Sequence, residues 1–256
     1  MSRSNPIAKN PATRFFQWGG GAGEINYYDK EKEEQIVVPF PFTFLVLDEL
    51  NGVTGFSEKD RSGIWSNDVR DMRKEELIVR SKGGVLAKGL YANIKDAIKA
   101  QGGKYTKQIY IAYKDDSGEL VIGHFKASGA ALTAWIELTK QLDVYKAAVV
   151  ITGAKKAKKG ATTYYVPKFE GQNVGKSTED AANDLDRELQ AFLSTYLSKR
   201  VDADEEFYAG KQDDAAAEED AEIADEVVTD DVEEEAQADD DDEEPKGKIK
   251  LSDVPF

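Results

Sequence analysis

The first feature of this sequence with chemical potential is a dense group of cations. Four lysines fall within five residues, between the predicted strands 147–152 and 163–169: Lys155, Lys156, Lys158 and Lys159. The flanking pattern predicts a β-hairpin that carries these lysines at its tip. Like charges this close repel one another, which favours an anionic partner over a merely solvated turn. Nucleic acid is one such partner, and an acidic segment of the same chain is another.

Aromatic side chains alternate with cationic and polar ones on several predicted strands. Side chains two residues apart share a strand face, so Arg14 and Trp18 point the same way. In the predicted strand 107–114, Ile109 lies on the core face and Tyr110 on the other. Outward aromatics near lysines are suited to stacking on bases above a phosphate track. The candidate binding residues of this group are Arg14, Trp18, Tyr28, Trp65, Lys107 and Tyr110.

The same aromatic residues are also suited to filling a core. Both interpretations stay open for Trp18, Tyr28, Trp65 and Tyr110, because the strand pattern alone does not say which face is covered. A second group is expected to be core: Phe15, Phe40, Phe42, Phe44 and Trp135.

Groups that could carry catalysis or bind metal are scarce. The chain has no cysteine and one histidine, His124, which excludes thiolate sites and paired-histidine chemistry. The segment 171–177 resembles a phosphate-binding loop, but three residues separate its glycines where that loop needs four. We therefore expect a protein that is not an enzyme and that uses no cofactor and no metal.

Charge is distributed very unevenly along the chain. The 256 residues carry 34 Lys+Arg and 49 Asp+Glu, a net charge of −15. From Asp202 onward, 24 acidic residues and four lysines give −20, so residues 1–201 carry +5. Such an acidic segment, nearly free of aromatics after Tyr208, does not bury enough apolar surface to fold, and we expect it to be disordered.

The sequence becomes apolar again at its last residues, which are Asp253, Val254, Pro255 and Phe256. A terminal aromatic ring beside a carboxylate, on a backbone stiffened by proline, is suited to docking in a partner's pocket. This arrangement resembles that of bacterial and phage single-stranded DNA-binding proteins. In that family an oligonucleotide-binding (OB) body is followed by an acidic tail that ends in an aliphatic residue, proline and phenylalanine.

Most of the remaining pattern consists of short strands. Predicted hairpins at 14–28, 77–91, 107–125 and 147–169, with two short helices between strands, indicate a mainly β fold with added helices. Together with the resemblance, this predicts an elaborated OB-fold barrel. We expect a flexible arm over 1–12, the binding domain over 13–200 and a disordered tail over 201–256.

A longer helix is predicted from Thr178 to Lys199, because Leu185, Leu189 and Leu193 lie on one apolar stripe. The stripe must be buried, either against the body of the same chain or in a homodimer contact.

The resemblance implies a protein that coats single-stranded DNA in replication, recombination and repair. It also implies partners of the polymerase, helicase, primase or nuclease class, recruited by the tail tip. No segment is apolar enough for a signal peptide or a membrane span, so a cytoplasmic location is expected, in a bacterial host if the chain is of phage origin. The alternative is an acidic interaction protein, a chaperone of basic proteins or a DNA mimic, whose body does not bind DNA.

Overall fold

The computed structural model describes residues 9–198, and within them the chain forms eleven strands and three helices. In chain order the strands are β1 (Phe15–Gly19), β2 (Glu24–Asp29), β3 (Glu34–Val38), β4 (Phe42–Ser57), β5 (Ser62–Ser66), β6 (Leu77–Ser81), β7 (Gly84–Gly89), β8 (Gly103–Lys114), β9 (Leu120–Ala127), β10 (Ala148–Lys159) and β11 (Thr162–Gln172). The helices are α1 (Tyr91–Lys99), α2 (Gly129–Gln141) and α3 (Lys176–Ser198). The prediction of a mainly β fold with added helices is confirmed.

All eleven strands belong to one mixed sheet. Its longest path runs β3-β2-β1-β9-β8-β4-β5-β6-β7, while β10 pairs with both β4 and β11. The long strand β4 is the centre of this arrangement, because it pairs with β8, β5 and β10 along different parts of its length. Every pairing is antiparallel except that of β1 with β9. The sheet is not closed into a complete barrel by strand pairing.

One face of the β1–β4 and β8–β11 strands encloses the largest apolar core. The alternate residues Ile109, Ile111 and Tyr113 of β8 point into it, as the period-2 pattern predicts. Trp135 of α2 is fully buried in the same cluster and stacks beside Phe44. This helix, one of the short helices predicted between strands, closes one side of the core.

The third helix, α3, buries its apolar stripe against the opposite face of the sheet. Leu189 and Leu193 are fully buried there with Leu45 and Leu50 of β4 and Ile122 of β9. Of the two alternatives for this stripe, the structure shows packing on the body of the same chain. The helix thereby covers the outer face of β4, β8 and β9.

The ends of the chain fall largely outside the described residues. Most of the predicted arm over 1–12 and the whole predicted tail over 201–256 belong to these parts. None of the helices within residues 9–198 is long and apolar enough to cross a bilayer.

Candidate nucleic-acid interface

The lysine cluster lies on a long β-hairpin formed by β10 and β11. Only Ala148–Ile151 of β10 pair with β4, and beyond Gly153 the strand pairs with β11 alone. The prediction that the lysines occupy the loop at the tip is wrong in detail. The ladder continues to Lys159, and the turn is made by Gly160, whose φ of 58° suits glycine, and the residue after it.

The hairpin register divides the lysines between two faces. Lys155 and Lys159 share one face with Ala157, which lies directly opposite Tyr164. On the other face, Lys156 lies opposite Tyr165 and Lys158 lies opposite Thr163. The first face therefore presents a tyrosine between two lysines, with the small side chain of Ala157 opposite the ring and Thr162 and Val166 on either side of it along β11.

The outer part of this hairpin carries cations without acidic residues of its own. The segment 144–169 contains no Asp or Glu, and Lys168 adds a fifth cation to β10 and β11, whose one acidic residue is Glu170 near the base of β11. All four lysines of the cluster are exposed. Within residues 9–198, no carboxylate forms an ion pair with any of them. Among the described residues the outer hairpin is thus a cationic surface without ion-pair partners, the kind of surface that attracts phosphate groups.

The turn between β1 and β2 fixes the base of the hairpin. The backbone N–H of Tyr165 donates to the carbonyl oxygen of Gly20 at 2.8 Å, and Trp18 Nε1 donates to the carbonyl oxygen of Tyr165 at 2.9 Å. Gly23 has φ of 76°, and a Cβ there would lie 2.8 Å from the Tyr165 ring. The hairpin is therefore attached to the sheet at both its β4 and its β1–β2 sides.

Comparison with known proteins adds nothing to this geometry. No family model, no curated protein and no solved structure matches the chain. Any functional argument therefore depends on the chain's own residues.

Trp18 and Tyr110 do not have the outward positions expected of base-stacking side chains. Trp18 is 8% exposed and belongs to the main core, so the face it shares with Arg14 is the inner one. Tyr110 does lie on the face opposite Ile109, but α3 covers that face and the ring packs edge-on against His124. Of the two interpretations left open for Trp18 and Tyr110, their burial supports the core role, because other elements cover the face on which each ring lies.

Arg14 and Lys107 each have a carboxylate partner. The Arg14 guanidinium lies 4.7 Å from the centre of the Tyr27 ring and forms an ion pair with Asp116. This hydrogen-bonded pair raises the pKa of Arg14 and lowers the pKa of Asp116. Lys107 Nζ lies 3.2 Å from Glu49 Oε2. Both cations are therefore already partly neutralised within the fold.

Lys107 also belongs to a different surface from the hairpin. It lines a cleft of about 680 Å³ between α1, α2 and the loop 70–73. In this cleft Glu49 accepts a hydrogen bond from Trp135 Nε1 as well as from Lys107. No cluster of histidine and acidic side chains that could bind a metal ion occurs in the described part of the chain.

The two other predicted aromatics differ in exposure. Tyr28 of β2 is 47% exposed. Trp65 of β5 is only 9% exposed, and its buried Nε1 has no hydrogen-bond partner among residues 9–198. Trp65 lies between Thr54 and Arg80 on the neighbouring strands, and Lys104 follows Thr54 in the same row. Trp65 is thus nearly as buried as Trp18, and its ring is not presented for stacking on a base.

The structure thus joins the four lysines in one surface, places Trp18 beneath it, and distributes the other candidates elsewhere on the sheet. Sequence reasoning missed Tyr164, although its position opposite Ala157 follows once β10 and β11 are extended to the turn. The predicted partner-binding residues Asp253, Val254, Pro255 and Phe256 lie outside the described residues.

Proposed function

We propose that this chain is a non-enzymatic protein that binds single-stranded DNA without reading its sequence. The observation that carries the proposal is the cationic outer hairpin with its lysines on both faces and Tyr164 between Lys155 and Lys159. Lysines follow a phosphate backbone irrespective of sequence, and a tyrosine ring stacks on any unpaired base.

The finer fold assignment is part of the same proposal. The antiparallel path β9-β8-β4-β10-β11, with α2 between β9 and β10, supports an OB-like core of five strands. In this assignment β1–β3 are added beside β9, and β5–β7 with α1 are inserted between the first two core strands. The lysine hairpin then takes the place of the loop between the fourth and fifth core strands. In OB folds this loop contacts oligonucleotides.

The acidic segment after Val201 completes the proposed mechanism. Its net charge of −20 lets it compete with DNA for the hairpin at the high effective concentration of a linked segment. When DNA displaces it, its tip is free to recruit replication, recombination or repair proteins.

The test is equilibrium binding of the full chain to a labelled oligonucleotide, as a single strand and as a duplex. We expect tighter binding to the single strand, since its bases are open to stacking. Changing Lys155, Lys156, Lys158 and Lys159 together to Gln should remove most of the affinity. The control is Lys82→Gln with Lys95→Gln, which removes two cations from the β6–β7 turn and α1.

Two results would contradict the proposal: no binding to the single strand, or equal affinity for the wild type and the hairpin variant. Binding of basic proteins in place of DNA would support the alternative acidic interaction protein.

A further inference from the structure

Asn26 in the middle of β2 is a buried polar side chain with an unsatisfied acceptor. It is 6% exposed, and its Oδ1 atom accepts no hydrogen bond from any of the residues 9–198. Asparagine is disfavoured in strands, and a buried acceptor that loses water without gaining a donor destabilises the fold. An unsatisfied group at such a position calls for an explanation outside the fold's own stability.

The side chains around Asn26 form an exposed, aromatic-rich platform. Tyr28 lies two residues further along the same strand and therefore on the same face. Gln17 of β1 and Val37 of β3 are its neighbours in the ladder, and Val37 is 52% exposed. Phe15, two residues before Gln17, is 39% exposed and contacts the His124 ring at 5.4 Å between centroids.

Polar groups accompany these rings on the neighbouring strands. Gln17 lies next to Lys126 of β9 in the parallel ladder, so an amide, a second amide and an ammonium group form one row. No described residue forms a hydrogen bond with the Gln17 side chain, which leaves it able to rotate away from Asn26. The platform thus combines ring faces, amide donors and acceptors, and a cation.

We infer that this platform is a subsite for one unpaired nucleobase, a deepening of the proposed function on which it rests. The base stacks on the rings of Tyr28 and Phe15. Its exocyclic amino group or ring N–H donates to Asn26 Oδ1, and the amide N–H of Asn26 or Gln17 donates to a ring nitrogen or carbonyl oxygen of the base. Amide side chains form this two-bond pattern with base edges, adenine above all.

The position relative to the hairpin supports a nucleic acid as the occupant. The Gln17–Asn26 pair is two residue pairs from Gly19–Glu24, roughly 7 Å along the strand. Gly19 adjoins the turn whose Gly20 carbonyl binds Tyr165 of the hairpin. The platform lies on the face opposite the Trp18 side chain that contacts the hairpin, so a strand whose phosphates lie on the hairpin reaches it by passing around the β1–β2 turn.

The experiment separates base contacts from phosphate contacts. The full chain is titrated with a single-stranded oligonucleotide and with an abasic strand of the same length and charge. We expect the wild type to prefer the base-bearing strand by tenfold or more. Tyr28→Ala with Phe15→Ala, and separately Asn26→Leu, should each reduce this preference at least about threefold. Val85→Ala, which trims an exposed side chain on β7, is the control that should leave the preference unchanged.

The melting temperature of the Asn26→Leu variant is a second readout, because a binding role and a structural role for Asn26 predict opposite changes in it. Leucine has the same branched arrangement of side-chain heavy atoms, with larger methyl groups, and removes the unsatisfied acceptor, so Asn26→Leu should unfold at an equal or higher temperature while it binds more weakly. A lowered melting temperature with unchanged base preference would assign Asn26 to the fold and overturn the subsite. Asn26→Ala, which cannot overpack, provides the same comparison if the leucine does not fit.

The outcomes also distinguish this inference from the proposed function. If the wild type does not bind single strands, the proposed function fails and the subsite with it. If the wild type binds and the hairpin lysine variant does not, but the platform variants keep the full base preference, only the subsite is refuted.

Discussion

The salt dependence of DNA binding gives the sharpest test of the lysine hairpin. Each phosphate neutralised on a single strand contributes about −0.7 to the slope of log affinity against log salt. Four lysines in contact with phosphates therefore contribute about −2.8. Between 50 and 200 mM salt, the wild type should lose about 50-fold more affinity than the variant with all four lysines changed to Gln.

Variants of a single face of the hairpin give a finer test, because the β10–β11 register places two of the four lysines on each face. Lys155→Gln with Lys159→Gln, and Lys156→Gln with Lys158→Gln, should each make the slope less steep by about 1.4. Tyr164→Ala should cost roughly 1–3 kcal/mol of binding free energy but leave the slope unchanged, since a stacked base releases no counterion. The assay is fluorescence anisotropy at four or more salt concentrations.

One result would refute the reasoning outright: a slope equal to that of the wild type after all four charges are removed. The hairpin would then not contact phosphates, whatever its variants do to affinity at one salt concentration. A change of slope of about 1.4 in the control variant Lys82→Gln with Lys95→Gln, equal to that of either two-lysine hairpin variant, would show an effect of total charge and not of the hairpin.

Three further predictions concern the attachment of the hairpin and the acidic segment. Gly23→Ala should lower the free energy of unfolding by about 1 kcal/mol or more, because alanine is strained at φ of 76° and would clash with the Tyr165 ring. It should also weaken DNA binding. Chemical denaturation measures the first effect and fluorescence anisotropy the second. Deleting residues 202–256 should raise affinity for single strands at matched salt, and equal affinity would count against competition by the tail. Phe256→Ala should leave DNA binding unchanged but reduce recovery of partner proteins from a host extract, whereas identical recovery would make the tail a bulk polyanion only.

The sequence predicts the strands and helices of this fold better than it predicts which strand faces other elements cover. The alternation in β8 correctly separates Ile109 from Tyr110, because a strand has a period of two whatever surrounds it. It does not reveal that α3 covers the second face, since that depends on a helix more than 60 residues later in the chain. Tyr110 therefore has the predicted orientation and the opposite environment.

At the candidate site, too, the local sequence alone does not predict which residues pair in strands. Lys155–Lys159 reads as a loop, because lysine-rich segments are poor strand formers in isolation. Pairing with Thr162–Val166 extends the ladder through it and gives each lysine a defined face. Phe15 shows the opposite error, because a large aromatic beside the core residue Phe16 is expected to be buried, yet its strand face remains partly open.

The parallel contact between β1 and β9 has a consequence for how the protein is made. Phe15 pairs with His124, so β1 finds its neighbour only after more than 100 further residues have been synthesised. Until then the β1–β3 meander has an unpaired edge, and the core residue Phe16 lacks the partners that β8 and β9 supply. Closing so long a loop adds little entropic cost to the finished fold, but contacts of such high sequence separation slow folding. Strands β1–β3 thus leave the ribosome well before β8 and β9 but are among the last to reach their final environment, which exposes this segment of the nascent chain to aggregation.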